Sequence, residues 1–317
     1  MRAVGILEHG TPDVLEVIDR PIPDPGPGQV RLRVVAAAVN PTDLMLRAGL
    51  LTPWMRGLEP PYVPGMDVSG VIDATGADTL FALGDRVMAF VNPFRPDGGA
   101  QAEYVVVPAE DTALVPRRLS LTDAAGLPMN GLTAHQALRR LDLPPGSTLA
   151  VTGGAGALGG FVVQLAARRG LRVVAEAAPD DEPLLKWLGA ETVVPRGGDP
   201  ARAYRTAVPE GVDALVDAAV IGSPALGAVR DGGQVVTCRP GDLTMERGIT
   251  RHAVNVLDYP GKGKVLSRLA ALAGEGAVVP RTASVLRPEE ASEAHRRLEA
   301  GGVRGRQLLM FSTPSAT

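Results

Sequence analysis

A glycine-rich turn between a short apolar strand and a helix constrains this chain more than any other feature. The turn reads Gly154-Ala155-Gly156-Ala157-Leu158-Gly159; it follows the apolar segment 148–152 and opens a helical pattern over residues 156–169. In a chain with 38 glycines, a G-x-G-x-x-G sequence alone is weak evidence, and the strand before it and the helix after it make it specific. The alternative is a structural turn without a ligand.

Each glycine of the turn has a separate task in a dinucleotide site. The first permits the tight turn, the second leaves room for a pyrophosphate, and the third lets the helix pack on the sheet. The helix N-terminus also offers unpaired N–H groups and the positive end of its dipole to phosphates. The predicted cofactor contacts here are Gly154, Gly156, Ala157, Leu158 and Gly159.

The segments around this turn alternate between strand and helix patterns, whereas the first third of the chain is β-rich. Strands are predicted over 172–175, 192–194, 214–217 and 234–237, with helices between them. This alternation predicts an α/β fold with a doubly wound, Rossmann-type parallel sheet. Strand patterns return after residue 280. We therefore predict a β-rich domain of residues 1–118 and 281–317, with a nucleotide-binding domain of residues 119–280 inserted in it.

Composition and charge exclude several classes of protein. The net charge is −3 and the arginines are scattered, which argues against a nucleic-acid partner. The single cysteine, Cys238, rules out an internal disulfide and fits a cytoplasmic location. No signal peptide is visible, and the uncharged stretch 143–167 is broken by prolines and glycines. We predict that it is buried core and that the protein does not cross a membrane.

The choice between NAD and NADP depends on the end of the second strand of the nucleotide-binding domain. An acid there binds the ribose 2′-OH of NAD, whereas a basic group accepts the 2′-phosphate of NADP. Glu176 lies 22 residues after Gly154, close to the expected spacing, with Asp180 and Asp181 nearby. Ala177 is an alternative neighbour of the ribose, and Arg196 follows the third strand. The residues leave both cofactors open, with NADPH as the favoured one and NADH as the alternative.

Several further motifs, taken in their order and spacing, resemble one family. The chain resembles the zinc-independent quinone oxidoreductase branch of the medium-chain dehydrogenase/reductase superfamily. The segments that carry the resemblance, besides the glycine turn, are 39–43 (VNPTD), 61–70 (PYVPGMDVSG), 84–87 (GDRV), 98–104 (GGAQAEY), 131–134 (GLTA), 188–190 (LGA) and 302–306 (GVRGR).

This resemblance implies a GroES-like catalytic domain, a Rossmann-type domain, an active site in the cleft between them, and a homodimer. It also bears on zinc. In zinc-dependent relatives a Cys stands at the place of Asn40 and a His-Glu pair at the place of Met66-Asp67. A catalytic zinc needs three protein ligands, and the four histidines here are far apart in sequence. We therefore predict no metal site.

Without zinc, the simplest chemistry is hydride delivery to a carbonyl that is already conjugated. The expected substrate is a small quinone or an α,β-unsaturated ketone, and the protein supplies orientation and donors for the developing oxyanion. Two alternatives remain: a dinucleotide-binding protein without catalysis, and a reductase with one narrow substrate in specialised metabolism.

The resemblance also implies roles for individual residues. Asn40 is expected beside the nicotinamide ribose, with its amide available to a substrate oxygen; Asp43 is expected to orient its neighbours, and Thr133 to touch the nicotinamide or cap a helix. The predicted substrate contacts are Met45, Tyr62, Met129, Arg239 and Val256. Further predicted cofactor contacts are Asn40, Asn130, Thr133, Glu176, Ala177, Arg196, Ala218, Cys238 and Arg306.

Two of these positions depart from the family pattern. Met45 stands where related quinone reductases often place a tyrosine. Cys238-Arg239-Pro240 stands where an aromatic residue and a glycine are usual. Both departures concern the substrate rather than the hydride chemistry.

Overall fold

The computed structural model describes residues 1–238 and 243–312, and it divides the chain into two compact units. The first unit comprises Met1–Met129 and Pro260–Thr317, and the second comprises Asn130–Tyr259. The second unit is thus an insertion in the first. Both are α/β in character, and together they have the GroES-like and Rossmann-type architecture that the sequence predicts.

The first unit is built on a mostly antiparallel sheet. Its strands pair in the order β14-β15-β3-β4-β5-β7, and β6 also pairs with β3; β1 and β2 form a separate two-stranded ribbon. The strands are β1 Arg2–Ile6, β2 Leu15–Asp19, β3 Gln29–Val39, β4 Asp67–Thr75, β5 Arg86–Phe90, β6 Tyr104–Pro108, β7 Thr112–Leu114, β14 Thr282–Leu286 and β15 Arg306–Met310.

The long strand β3 shows why the first unit folds as it does. In its first half Val30, Leu32 and Val34 are fully buried, and the alternating Arg31 reaches Asp73 on β4 at 3.0 Å. This is the period-2 pattern of a strand with one face in the core. The helices of this unit are α1 Pro41–Arg47, α2 Leu121–Ala124, α8 Lys262–Gly274 and α9 Ala291–Ala300, and α3 Pro128–Leu141 begins at its boundary.

The second unit carries a six-stranded parallel sheet in the order β10-β9-β8-β11-β12-β13. Its strands are β8 Thr148–Thr152, β9 Arg172–Ala177, β10 Thr192–Pro195, β11 Val212–Asp217, β12 Val229–Thr237 and β13 Thr250–Ala253; its helices are α4 Ala157–Arg168, α5 Glu182–Leu188, α6 Pro200–Ala207 and α7 Ser223–Leu226. This is the strand order of a doubly wound dinucleotide-binding sheet, with its crossover point between β8 and β11.

The boundaries of the two units in the structure differ from the domain boundaries predicted from the sequence. Residues 119–129 and 260–280 belong to the first unit rather than to the nucleotide-binding unit. Helix α8 explains part of the difference: Lys262 lies 3.5 Å from Asp111, and its ammonium group stacks over Phe90. A helical pattern alone does not reveal which sheet a helix packs against. Within the described ranges, the chain has no helix that is long and apolar enough to span a membrane.

Candidate active site

Five polar side chains form a buried cluster in the first unit. Asn40 follows β3, Asp43 lies in the first turn of α1, Asp67 begins β4, Gln101 precedes β6, and Arg306 begins β15. None of the five is more than 4% exposed. We refer to this set as the polar cluster.

Asp67 and Arg306 form the ionic centre of the polar cluster. Arg306 Nη2 lies 2.7 Å from Asp67 Oδ2 and also donates to the side-chain oxygen of Asn40. Asn40 Nδ2 donates to the same Asp67 oxygen at 2.8 Å, and the other Asp67 oxygen accepts from the Met129 N–H. Burial of both charges is tolerated because each has a partner of opposite sign and additional hydrogen bonds.

Asp43 holds the backbone around the ionic centre. Its Oδ2 accepts from the Asn40 N–H at 2.8 Å, and its Oδ1 accepts from the Gly65 N–H at 2.9 Å. Gln101 Nε2 lies 3.3 Å from Asp43 Oδ2. Burial raises the pKa of Asp43 to about 7, against the effect of these N–H donors. Asp43 therefore ties α1 to the loop before β4.

The contacts of the Asn40 and Arg306 side chains bear on the roles predicted for these two residues. The sequence hypothesis assigns the Asn40 amide to a substrate oxygen and Arg306 to the cofactor. In the structure that amide is donated to Asp67, and the guanidinium is shared between Asp67 and Asn40. Both side chains are buried. The geometry thus favours positioning roles for both residues over direct contacts with ligands.

Zinc does not fit the polar cluster. Asn40, Met66 and Asp67 include only one of the side-chain types that bind catalytic zinc, and Asp67 is already neutralised by a guanidinium. More generally, no three His, Cys, Asp or Glu residues are grouped to hold a metal in residues 1–238 and 243–312.

Predicted substrate contacts Met45 and Tyr62 lie together in a second region of the first unit. Both pack on a small apolar core of Ile6, Leu46, Leu51 and Met55, together with Leu58 and Phe94. Tyr62 stacks on His9 with ring centroids 5.5 Å apart, and Trp54 meets Phe94 edge to face at 5.3 Å. We call the four rings of His9, Tyr62, Trp54 and Phe94 the aromatic cluster. Trp54 is 51% exposed, so the aromatic cluster presents a flat ring at the surface.

The glycine turn lies at the carboxyl edge of the second unit's sheet, between β8 and α4. A Cβ on Gly159 would lie 2.2 Å from the Gly153 carbonyl oxygen, so only glycine allows this helix–turn packing. A Cβ on Gly156 would meet only that oxygen, at 3.1 Å. Gly156 therefore keeps an open approach at the N-terminus of the 12-residue helix α4. The turn fits the pyrophosphate of a dinucleotide.

The residues predicted to distinguish NAD from NADP lie at the ends of β9 and β10. Glu176 and Ala177 end β9 and are buried, and the Arg196 N–H donates to the Ala177 carbonyl at 2.7 Å. The Arg196 side chain is exposed. Burial raises the pKa of the Glu176 carboxyl, Asp217 adds to this shift, and Arg196 opposes it.

The other predicted residues are more dispersed. Asn130 and Thr133 are buried on α3, Met129 is half-buried there, and Val256 is buried shortly before the end of the second unit. Ala218 follows β11 and Cys238 follows β12, both partly exposed. Arg239 lies outside the described residues.

Family comparisons agree with this architecture. Residues 26–117 match the alcohol dehydrogenase GroES-like domain family, and residues 188–309 match a family described as zinc-binding dehydrogenase. The chain is 30% identical to quinone-oxidoreductase QR1 of Triphysaria versicolor, over 92% of this chain and 93% of that protein. It is 33% identical to the 2-methylene-furan-3-one reductase of Solanum lycopersicum, over 74% of this chain and 61% of that longer protein.

Solved structures give the same result. The quinone oxidoreductase of Coxiella burnetii superposes with a TM-score of 0.86 at 27% identity, over 98% of this chain and 99% of that one. An NAD-dependent alcohol dehydrogenase gives 0.87 at 31%, over 98% and 100%. A mycobacterial protein complexed with NADPH gives 0.84 at 28%, over 98% and 99%.

The fold and these similarities define an oxidoreductase of the medium-chain dehydrogenase/reductase superfamily. Within it, the chain belongs to the quinone oxidoreductase-like branch, as the sequence motifs predicted. A nicotinamide dinucleotide is the cofactor that this assignment supports.

Sequence reasoning overlooked several residues of these regions. Gln101 and Trp54 were not among the predicted site residues, although Gln101 lies inside the motif 98–104. Asp67 was considered only as part of the Met66-Asp67 pair, which stands where zinc-dependent relatives have a His-Glu pair. Its signal was available, because a carboxylate in an apolar strand needs a buried cation.

Proposed function

We propose that this protein reduces a conjugated carbonyl compound, a quinone or an α,β-unsaturated ketone, with a nicotinamide dinucleotide and without zinc. The observation that carries the proposal is the glycine turn with its open approach at Gly156. In addition Asp67, which stands at the place of a zinc ligand in zinc-dependent relatives, is paired with Arg306.

In this proposal the second unit holds the dinucleotide. The backbone N–H groups at the start of α4 would bind the pyrophosphate, and Gly156 would let it approach the turn. When bound, the reduced nicotinamide supplies the hydride. The residues of the chain bind and orient the dinucleotide and exclude water, which is the usual role of the protein in cofactor chemistry.

The polar cluster would act on the acceptor indirectly. Asn40 and Asp43 fix the start of α1, and Met45 lies on the same helix and faces the aromatic cluster. We therefore propose that the polar cluster positions this wall of the substrate site. A flat, apolar acceptor would find ring surface on Trp54, Phe94 and Tyr62, which is the arrangement that aromatic contacts favour.

We propose NADPH as the preferred cofactor and NADH as the alternative. Arg196 is exposed at the carboxyl end of β10, where it could meet a 2′-phosphate. Asp180 and Glu182 are exposed in the same region and favour NADH, so Arg196 is the residue on which the preference depends.

Steady-state oxidation of NADPH and NADH with a panel of quinones and enones tests the proposed function. Turnover with at least one acceptor, unchanged by a chelator, is the expected result. Tight dinucleotide binding without turnover on any acceptor would overturn it in favour of a dinucleotide-binding protein. Turnover that a chelator abolishes and zinc restores would overturn the zinc-free mechanism.

We also propose a cytoplasmic homodimer, as the family resemblance implies. Strand β13 is an edge of the six-stranded sheet, and such an edge can pair with a second copy. Sedimentation equilibrium tests the dimer: a mass of about one chain at micromolar concentration would contradict it.

A further inference from the structure

The loop after β11, residues 218–222, contains a strained residue. Val220 has a φ of 57°, the left-handed region that side chains branched at Cβ strongly disfavour. Within residues 1–238 and 243–312, three other non-glycine residues share this region: Asp78, Asp142 and Arg247. Aspartate tolerates it, and Arg247 is anchored by hydrogen bonds to Leu226, Val229 and Asp231. Neither explanation applies to a valine.

The residues on both sides of Val220 are fixed by side chains at the ends of the neighbouring strands. Asp217 accepts from the Ile221 N–H at 3.0 Å and from the Gly222 N–H at 2.8 Å. Thr152, at the end of β8, accepts from the Ala219 N–H at 3.0 Å and donates to Asp217 at 2.7 Å. Backbone strain persists where the surroundings determine the conformation in this way, and such residues cluster at ligand sites.

The strained loop lies where a dinucleotide is expected. Strands β8 and β11 are neighbours although two strands of the sheet, β9 and β10, separate them in sequence, so their carboxyl ends define the crossover point. The loop also touches the glycine turn, since a Cβ on Gly153 would lie 3.1 Å from the Ala219 Cβ. Val220 is 47% exposed at this edge.

We infer that the Val220 side chain contacts the nicotinamide half of the dinucleotide, an inference that rests on the proposed function. The glycine turn, with β8 and β9, belongs to the half of the sheet that takes the adenosine nucleotide. The loop after β11 belongs to the other half. Asp217 and Thr152 hold the loop so that an apolar, branched side chain stands at the crossover point. The strain weakens the empty protein and is maintained because this side chain contacts the bound cofactor.

Replacement of Val220 by glycine and by alanine separates strain from contact. Val220→Gly removes both, and Val220→Ala keeps a Cβ and removes only the methyl groups. The control is Asp78→Gly, at a φ of 62° in an exposed loop of the first unit. For each variant, Tm is measured without ligand, and Kd is measured by calorimetry for NADPH, NADH and AMP.

We expect Val220→Gly to raise Tm by about 2–4 °C and to weaken the binding of its better dinucleotide about five-fold, since an apolar contact is lost. AMP binding should change less than about two-fold, because AMP lacks the nicotinamide half. Val220→Ala should weaken dinucleotide binding about three-fold with little change in Tm. Asp78→Gly should bind all three ligands as the natural protein does.

Equal dinucleotide affinity in the natural protein and both Val220 variants would overturn this inference while leaving the proposed function intact. An equal loss of AMP and dinucleotide affinity would also overturn it, since the effect would then not be confined to the nicotinamide half. Failure of the natural protein to bind either dinucleotide would overturn the proposed function and this inference together.

Discussion

The polar cluster of the first unit and the glycine-turn edge of the second unit use polar groups in opposite ways. In the polar cluster, Asn40, Asp67 and Arg306 satisfy one another and are almost completely buried. At the glycine-turn edge, backbone N–H groups stand at an open helix N-terminus, and Gly156 has no side chain to cover them. The first arrangement stabilises a shape, whereas the second leaves binding capacity for a ligand.

Polar residues at the family's motif positions therefore need not be the ones that contact ligands. Asn40 and Arg306 lie in motifs, yet their contacts are with each other and with Asp67. If the comparison is correct, changes in the polar cluster alter stability more than dinucleotide affinity, and changes at the glycine turn can alter affinity alone.

The largest expected effect follows from removing the cation of the polar cluster. Arg306→Met leaves Asp67 buried without its countercharge, and we expect a loss of about 3–5 kcal/mol in the free energy of unfolding. Urea denaturation measures this loss. Arg287→Met is the matched control, because Arg287 and its partner Glu290 are both exposed and such surface pairs contribute little to stability.

Dinucleotide affinity of folded Arg306→Met is the second part of the same test. A Kd within about two-fold of the natural value is the expected outcome for a positioning residue. A stable variant that has lost dinucleotide binding would restore Arg306 to the cofactor contacts and contradict the comparison.

The second and third glycines of the turn, Gly156 and Gly159, should respond differently to alanine. Gly159→Ala places a Cβ against the Gly153 carbonyl and should cost about 1–3 kcal/mol of stability. Gly156→Ala has more room, so Tm should fall little while dinucleotide Kd rises about ten-fold or more, because the methyl group blocks the pyrophosphate. Calorimetry and thermal unfolding of the pair check this, and undiminished binding in Gly156→Ala would exclude the turn as the phosphate site.

Two buried groups of the first unit should give pH effects of opposite sign. Burial, with Arg47 Nη1 at 3.4 Å, lowers the pKa of His295 to about 3. The unfolded chain then binds the extra proton between about pH 3 and 6.5, so His295 favours the folded state as pH rises through this window. Asp43, with its pKa raised to about 7, holds a proton in the folded state, so its contribution is lost as pH rises from about 4 to 7.

Variants that remove each titration separate the two contributions. Relative to the natural protein, Asp43→Asn should gain, and His295→Leu should lose, about 1 kcal/mol of unfolding free energy per pH unit between pH 4.5 and 6.5. Urea denaturation at three pH values measures both slopes. Parallel pH profiles for the variants and the natural protein would show that neither group titrates as described.

The smallest expected effect concerns the choice of cofactor. Arg196→Ala removes the cation at the end of β10 and should weaken NADPH binding about five- to ten-fold while leaving NADH within about two-fold. Arg230→Ala is a suitable control, since Arg230 pairs with Asp213 at the start of β11, away from the carboxyl edge. An equal effect on both cofactors would remove Arg196 from 2′-phosphate recognition.

The fold was predictable from sequence where a hydrophobic pattern identified an element and a glycine marked where it begins or ends. The glycine turn placed β8 and α4, because its motif requires a strand before it and a helix after it. Packing partners were not predictable in this way. Helix α8 shows only a helical period in sequence, and its contacts with Asp111 and Phe90 place it in the first unit.

The candidate site divides in the same manner. The family resemblance indicated Asn40 and Asp43, and the strand and helix on either side of the G-x-G-x-x-G motif indicated the glycine turn. The partnership of Asp67 with Arg306 joins residues that are 239 positions apart, and no local pattern encodes it. The strain at Val220 likewise depends on Asp217 and Thr152 from two different strands.

Transfer of deuterium from the cofactor to the product tests whether this protein delivers a hydride from NADPH to a conjugated carbonyl without a metal. The protein is incubated with NADPH deuterated at C4 of the nicotinamide and with an α,β-unsaturated ketone on which it turns over, and the product is analysed by mass spectrometry and NMR. We expect one deuterium at the β-carbon of the saturated ketone, with a chelator present throughout. Dinucleotide binding without consumption of any acceptor, or a product that carries no deuterium, would contradict it.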